Sequence, residues 1–135
     1  MDKVSVIIPN YNHARFLKKR IESVLMQSVK PAEIIILDDC STDGSQDMIN
    51  QYRDHTLVSH ILINDKNSGS PFKQWQKGIL YATGDWIWIA ESDDYAEQNF
   101  LKEMLSLADK YQQAGLLYCD SAIVEGDKVQ AESFA

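Results

Sequence analysis

Short apolar runs rich in β-branched residues recur along this chain, and stretches of helical periodicity separate them. The first run is VSVII (Val4–Ile8) and the second is EIIIL (Glu33–Leu37). A run that is apolar on both faces belongs to a sheet covered on both sides, which in practice means a parallel sheet. Between the two, Phe16, Leu17, Ile21, Val24 and Leu25 recur at helical spacing, with Lys18, Lys19 and Arg20 read as a solvated face. Asn12 is placed to cap that helix and Pro31 lies past its end.

The alternation continues. Asp43 or Ser45 can cap a helix carrying Met48, Ile49 and Tyr52, and TLVSHILI (Thr56–Ile63) reads as a third strand. Phe72, Trp75, Ile79 and Ala82 share one helical face. DWIWIA (Asp85–Ala90) reads as a central strand, because Trp86 and Trp88 point one way and Ile87 and Ile89 the other. Phe100, Leu101, Met104, Leu105, Ala108 and Tyr111 mark another helix, LLYCD (Leu116–Asp120) a fifth strand, and AIVEGDKVQA a hairpin turning at Gly126–Asp127. Strands alternating with amphipathic helices predict an α/β fold of three layers, α/β/α, around a mainly parallel sheet.

With 135 residues the chain suffices for one domain, expected to span 1–135. A net charge of −7 disfavours nucleic acid and limits any membrane contact to a peripheral one, since both partners demand a basic surface. The two cysteines, Cys40 and Cys119, have no metal-binding spacing and fit a reducing compartment, so a cytoplasmic location is expected.

In such a sheet, ligands bind beyond the carboxyl ends of the strands, near the point where strand order reverses. Three strands here end in polar tips: PNYN (Pro9–Asn12), DDCSTDGS (Asp38–Ser45) and ESDD (Glu91–Asp94). Parallel strands bring these tips to one edge, which gathers Asp38, Asp39, Asp43, Glu91, Asp93 and Asp94. Like charges in one cleft raise each other's pKa values unless a cation or hydrogen-bond donors compensate. Hard oxygen ligands favour Mg²⁺ or Mn²⁺, and such an ion completes its shell with water and substrate phosphates. Each tip taken alone is equally a helix cap; their recurrence after three buried strands is what caps explain poorly. His13, His55 and His60 show no mutual spacing and read as surface or satisfied residues.

VSVIIPNYN, EIIILDDCSTDGS and NSGSPFKQWQKGILYATGDWIWIAESDD together resemble the family 2 inverting glycosyltransferases of the GT-A fold, from about Val4 to Tyr118. The resemblance implies a nucleotide-sugar donor, most often a UDP-sugar, and a saccharide or lipid-linked saccharide acceptor. It implies that Pro9 and Tyr11 line the base pocket, that Asp39 accepts a hydrogen bond from base or ribose, and that Asn67 and Gly69 border the nucleotide. Asp93 would sit by ribose and metal, and Asp94 would bind a Mn²⁺ or Mg²⁺ ion through the donor diphosphate. The chain departs from the pattern with Glu91 in place of the first Asp of the acidic motif, and with Lys73 as the nearest cation where many members carry Arg. The family's catalytic base and most of its acceptor site are expected beyond Ala135, and Asp120 is a poor substitute. Three rivals stay open at this stage. A phosphoacceptor receiver domain would carry its acidic pair after the first strand, and a nucleotidyltransferase a Gly-rich loop there. A donor-binding module without turnover would keep the same pocket.

Overall fold

The computed structural model describes residues 2–125 and 128–131, which form two compact units, the first ending at Lys102 and the second beginning at Glu103. The first unit holds β1 (Val4–Asn10), α1 (Ala14–Leu25), β2 (Glu33–Asp38), α2 (Ser45–Asn50), β3 (Val58–Ile63), α3 (Pro71–Tyr81) and β4 (Trp86–Ile89). Helix α4 (Phe100–Lys110) starts in the first unit and continues into the second, which also carries β5 (Ile123–Glu125) and β6 (Lys128–Ala131).

The four strands of the first unit are all parallel, in the order β3-β2-β1-β4. The chain lays β2 and then β3 to one side of β1 and returns to place β4 on the other side. Right-handed crossovers then put α1 and α2 on one face and α3 on the opposite face. The contacts agree: α1 touches α2 and β1, whereas α3 packs on β1 and β2. Every residue of β1 and β2 is buried, as their apolar runs predict. On the α3 face, Ile7, Ile35 and Leu37 form a fully buried cluster covered by Leu62, Ala82 and Ile89. Each such side chain contributes about 1.5–3 kcal/mol.

Helix α3 lies close to this cluster because Gly78 has no side chain: a Cβ there would stand 2.7 Å from Ile7 Cγ2 and 3.2 Å from Leu37 Cδ1. The buried positions of α3 are Gln74 and Gly78, while Phe72 and Ile79 are exposed. The apolar spacing of Phe72 and Ile79 therefore does not mark the packed face; the tight sheet contact demands the smallest residue instead.

Other expectations are corrected as well. Strand β4 pairs only with β1 among the described residues and is an edge of the four-stranded sheet. Its burial matches an edge: Trp86, Trp88 and Ile89 are half-buried and Ile87 is exposed, so apolar residues on both faces do not by themselves mark a central strand. Leu116–Asp120 is not a strand, and Leu116 and Tyr118 are exposed. The antiparallel β5–β6 pair is present, while the Gly126–Asp127 turn lies outside the described residues. Asn12 does not cap α1: it has φ 54°, and its Oδ1 accepts from the Thr42 backbone N–H at 2.8 Å. The free N–H at the helix start, that of Ala14, donates instead to Asp43 Oδ2 at 2.8 Å.

Candidate functional site

The strand order reverses between β1 and β4, and a cleft of about 370 Å³ opens there, at the carboxyl ends of the strands. From the end of β1 come Pro9, Asn10, Tyr11 and His13; from β2, Asp39; from the β3–α3 connection and α3, Asn67, Gly69, Ser70, Pro71 and Gln74; from β4, Glu91 and Ser92. The predicted residues Pro9, Tyr11, Asp39, Asn67, Gly69 and Glu91 thus share one cavity. Lys73, Asp93 and Asp94 are not in its lining. Lys73 is exposed and its Nζ donates to the Ser68 carbonyl at 3.1 Å. Asp93 and Asp94 are exposed and directly follow Ser92, which does line the cleft.

The acids at this edge divide into two kinds. Asp38 is fully buried and accepts from Asn10 Nδ2 at 2.9 Å, from the Ser41 backbone at 2.8 Å and from Ser41 Oγ at 2.7 Å. Asp43 accepts from Ala14 N–H and from both the backbone and the hydroxyl of Ser45. These two serve the fold and do not join a charge cluster. Asp39 is intermediate in role. Its Oδ1 accepts from Asn64 Nδ2 at 2.9 Å and Ser68 N–H at 2.8 Å, and its Oδ2 from Ser68 Oγ at 2.7 Å. Burial pushes the Asp39 carboxyl up, but the Ser68 and Asn64 hydrogen bonds and the Lys77 charge outweigh it and hold the pKa below the usual range. A carboxylate has about four acceptor positions, so one of Asp39's stays available to a ligand.

The same network shapes the loop that faces Asp39. Asn67 Nδ2 donates to the Asp39 carbonyl at 3.0 Å, and Asn67 Oδ1 receives the Gly69 N–H at 2.8 Å. That turn needs φ +80° at Gly69, a conformation a side chain disfavours. The N-x-G spacing is therefore a backbone requirement at the lip of the cleft. Tyr11 leaves its ring half in solvent, 49% exposed, free to cover a flat ligand.

Glu91 and Asp94 are the other kind of acid. Burial raises the Glu91 pKa; the Trp75 Nε1–H bond at 2.8 Å lowers it, and Asp93 and Asp94 raise it further, leaving the group above its ordinary value. Asp94 is exposed as a residue, yet partial desolvation of its carboxylate and then Asp93 raise it, against the opposing charges of Arg20 and His13. These are carboxylates whose surroundings disfavour their charge, the condition a bound cation relieves. Among the described residues no three His, Cys, Asp or Glu side chains form a metal-holding group on their own. One or two carboxylates from Asp93 and Asp94 would be enough for an ion of the Mg²⁺ or Mn²⁺ type, which leaves its remaining positions to phosphates and water.

Several residues of this edge escaped the sequence reading. His13 is no bystander: it lines the cleft, with Nδ1 2.9 Å from Ser92 Oγ. Arg20 is not a solvated residue but 4% exposed, its guanidinium 5.6 Å from the Trp88 ring centre. Asn10 and Gln74 are buried polar groups of the lining. A helical-wheel argument would have found Arg20, which stands one residue from Ile21 and four from Val24 on the packed side of α1. His13 carried no such signal.

The fold has counterparts among known proteins. Residues 5–127 match the family described as glycosyl transferase family 2. The poly(ribitol-phosphate) β-N-acetylglucosaminyltransferase TarS of Staphylococcus aureus is 31% identical over 121 residues, covering 87% of this chain and 21% of TarS. The poly(ribitol-phosphate) β-glucosyltransferase of Bacillus spizizenii is 35% identical over 95 residues, covering 69% of this chain and 15% of that protein. The crystal structure of TarS 1–349 in complex with UDP superposes with a TM-score of 0.73 at 29% identity, over 82% of this chain and 33% of that one. The mannosyltransferase PcManGT of Pyrobaculum calidifontis, in complex with GDP-Man and Mn²⁺, shares the fold with a TM-score of 0.68 at 20% identity, over 92% of this chain and 36% of that one. The chain spans well under half the length of each of these relatives. A parallel sheet of order β3-β2-β1-β4 flanked by helices, a polar cleft at its switch point and a family match over nearly the whole sequence agree: the chain belongs to glycosyl transferase family 2 and has the GT-A fold.

Proposed function

We propose that this chain holds the donor for transfer of a sugar from a nucleotide-diphosphate sugar, of the UDP-sugar class, to an acceptor hydroxyl of a saccharide or lipid-linked saccharide. The observation that carries the reading is the convergence of Tyr11, Asp39, Asn67, Gly69 and Glu91 on one cleft at the sheet's switch point. The UDP bound to TarS supports the choice of nucleotide.

In this reading Pro9 and the half-exposed Tyr11 ring cover the base, and the remaining acceptor position of Asp39 takes a donor from base or ribose. Asn67 and Gly69 border the nucleotide, and Lys73 stands near it as a point charge. Asp93 lies by the ribose; Asp94, with Asp93 and Glu91 beside it, holds a Mn²⁺ or Mg²⁺ ion. When bound, that ion supplies Lewis-acid stabilisation of the charge that grows on the leaving diphosphate. Attack by the acceptor oxygen from the face opposite the diphosphate is a single displacement and inverts the anomeric carbon. We assign the general base to no residue of the chain. The two isolated thiols suit a cytoplasmic setting, and no helix among the described residues is long and apolar enough to cross a membrane.

A thermal-shift screen of nucleotide sugars with Mn²⁺ and with Mg²⁺ tests nucleotide class and metal need together. A UDP-sugar with either ion is expected to raise Tm by several degrees; the absence of any nucleotide response removes the reading. A second reading, donor binding without turnover, keeps the same cleft and the same residue roles. Sugar transfer to a saccharide acceptor, measured with this chain alone, separates the two.

A further inference from the structure

Between β4 and α4 the chain from Ala90 to Asn99 forms neither helix nor strand, and it contains the Glu91–Asp94 motif. A backbone without regular structure must find partners for its N–H and C=O groups elsewhere. Here one face of α1 and the turn after it supply them. Arg20 Nε donates to the Glu91 carbonyl at 2.7 Å, and Ser23 Oγ accepts from Ala96 N–H at 3.3 Å. Gln27, fully buried, donates to the Glu97 carbonyl at 2.7 Å and accepts from Leu101 N–H at 2.8 Å. Positions 20 and 23 lie three apart on one face of α1, and Gln27 follows in the turn after the helix.

Arg20 is the costly member of this rail. Burying a guanidinium is unfavourable unless its donors and charge are matched, and Nη1 of Arg20 has no hydrogen-bond partner. A methionine would cover Trp88 at lower cost, since exchanging a buried charge for packed apolar atoms is commonly neutral or stabilising. What a methionine could not do is hold the Glu91 carbonyl, and with it the direction in which the next three residues leave β4.

We propose that Arg20, seconded by Ser23 and Gln27, is the positioning residue that fixes the backbone path of Glu91–Asp94 so that its carboxylates meet an ion shared with the donor diphosphate. This rests on the donor-binding reading above; Arg20 is not among the residues that line the cleft. The carbonyl of Glu91 also receives the Asp94 N–H at 3.2 Å, so the Arg20 anchor and the turn that sets Asp94 meet at one oxygen.

Two measurements on wild type, Arg20→Met and Arg20→Lys test this. The first is amide hydrogen exchange of the metal-free protein. Exchange at Asp94 and Ala96 is expected to quicken at least tenfold in Arg20→Met, with β1 and β2 unchanged. The second is the gain in UDP affinity on adding Mn²⁺. It is expected to shrink at least fivefold in Arg20→Met and to return to within twofold of wild type in Arg20→Lys, which keeps a cationic donor. A purely structural role would lower UDP affinity equally with and without Mn²⁺ and leave the gain intact, and that result overturns the proposal. If wild type itself shows no gain, the donor-binding reading has failed instead, and exchange alone decides: unaltered rates at Asp94 and Ala96 overturn the positioning role. Should Arg20→Met not fold, Ser23→Ala removes one acceptor of the same rail. A two- to threefold smaller gain is then expected, and an unchanged gain counts against the proposal.

Discussion

The two ends of the parallel sheet treat carboxylates in opposite ways. At the amino end, Glu33 opens β2, nearly buried, and receives donors from four directions. Ser5 Oγ, Ser59 Oγ, Thr83 Oγ1 and the Thr83 N–H all lie at 2.7 Å. Burial pushes its pKa up, but the Ser5, Thr83 and Ser59 hydrogen bonds outweigh burial and hold it down to about 2. At the carboxyl end, Glu91 and Asp94 are raised, by burial first and then by neighbouring like charges that few donors offset. Glu33 ties β1, β2, β3 and the α3–β4 turn together. Glu91 receives a single side-chain donor, Trp75 Nε1–H, and stands with Asp94 in the loop beside the cleft. An acid supplied with donors holds the fold, and an acid left without enough of them waits for a ligand. Asp39 does some of each, since three acceptor positions serve the Asn64–Ser68 loop and one is open.

The sharpest way to break this contrast is Asp94→Asn. It is expected to cut Mn²⁺-dependent UDP affinity at least tenfold while leaving the Tm of the metal-free protein unchanged or higher, measured by titration calorimetry and thermal melting. A fall in metal-free Tm would place Asp94 among the structural acids. Asp39→Ala should fail in both respects, losing at least tenfold in UDP affinity and about 2 kcal/mol of stability by chemical denaturation, because it strands the Asn64 and Ser68 donors. Asp39 affecting binding alone would mean that its loop network is dispensable.

Glu33→Gln is the mirror experiment. We expect a loss of about 2 kcal/mol at pH 7, with UDP affinity within twofold of wild type. The sign of its pH dependence follows from the lowered pKa. The stabilisation by Glu33 is fully present above the unfolded value of about 4.5 and is lost as pH falls towards the folded value of about 2. Wild type and Glu33→Gln should therefore converge in stability across that window. The smallest effect is that of Glu91→Gln on the metal-free protein. Glu91 is raised, so its ionisation costs stability as pH climbs past the ordinary carboxylate range, and the variant should be slightly the more stable at pH 7. A destabilised Glu91→Gln would show that the Trp75 hydrogen bond matters more than the crowding of charges.

Much of this was legible from residue order. The buried runs of β1 and β2 announced a parallel sheet, and the sheet announced which edge would carry the cleft. Pro9, Tyr11, Asp39, Asn67 and Gly69 followed from motif resemblance and do share the cleft. What sequence did not reveal was how hydrogen bonds sort the acids. Asp38, Asp39 and Asp43 look alike in DDCSTDGS, yet only Asp39 reaches the cleft, since the donors that occupy Asp38 come from Asn10 and Ser41 and those of Asp43 from Ala14 and Ser45. Arg20 reads as solvated because it sits in a basic run; its place beside Ile21 and Val24 on the helix marks the packed side, and the structure adds its partners there, Trp88 and the Glu91 carbonyl. Leu116–Asp120 has the composition of a strand without being one, since composition does not tell whether a partner strand is at hand.

The most direct test of the account is the affinity of UDP for wild type and for Asp94→Asn, each measured with Mn²⁺ and with a chelator at pH 7. The account predicts that the ion tightens binding to wild type at least tenfold and does nothing for Asp94→Asn. Equal tightening in both proteins would contradict it, for the under-supplied acids of the carboxyl edge would then not be where the ion and the diphosphate meet.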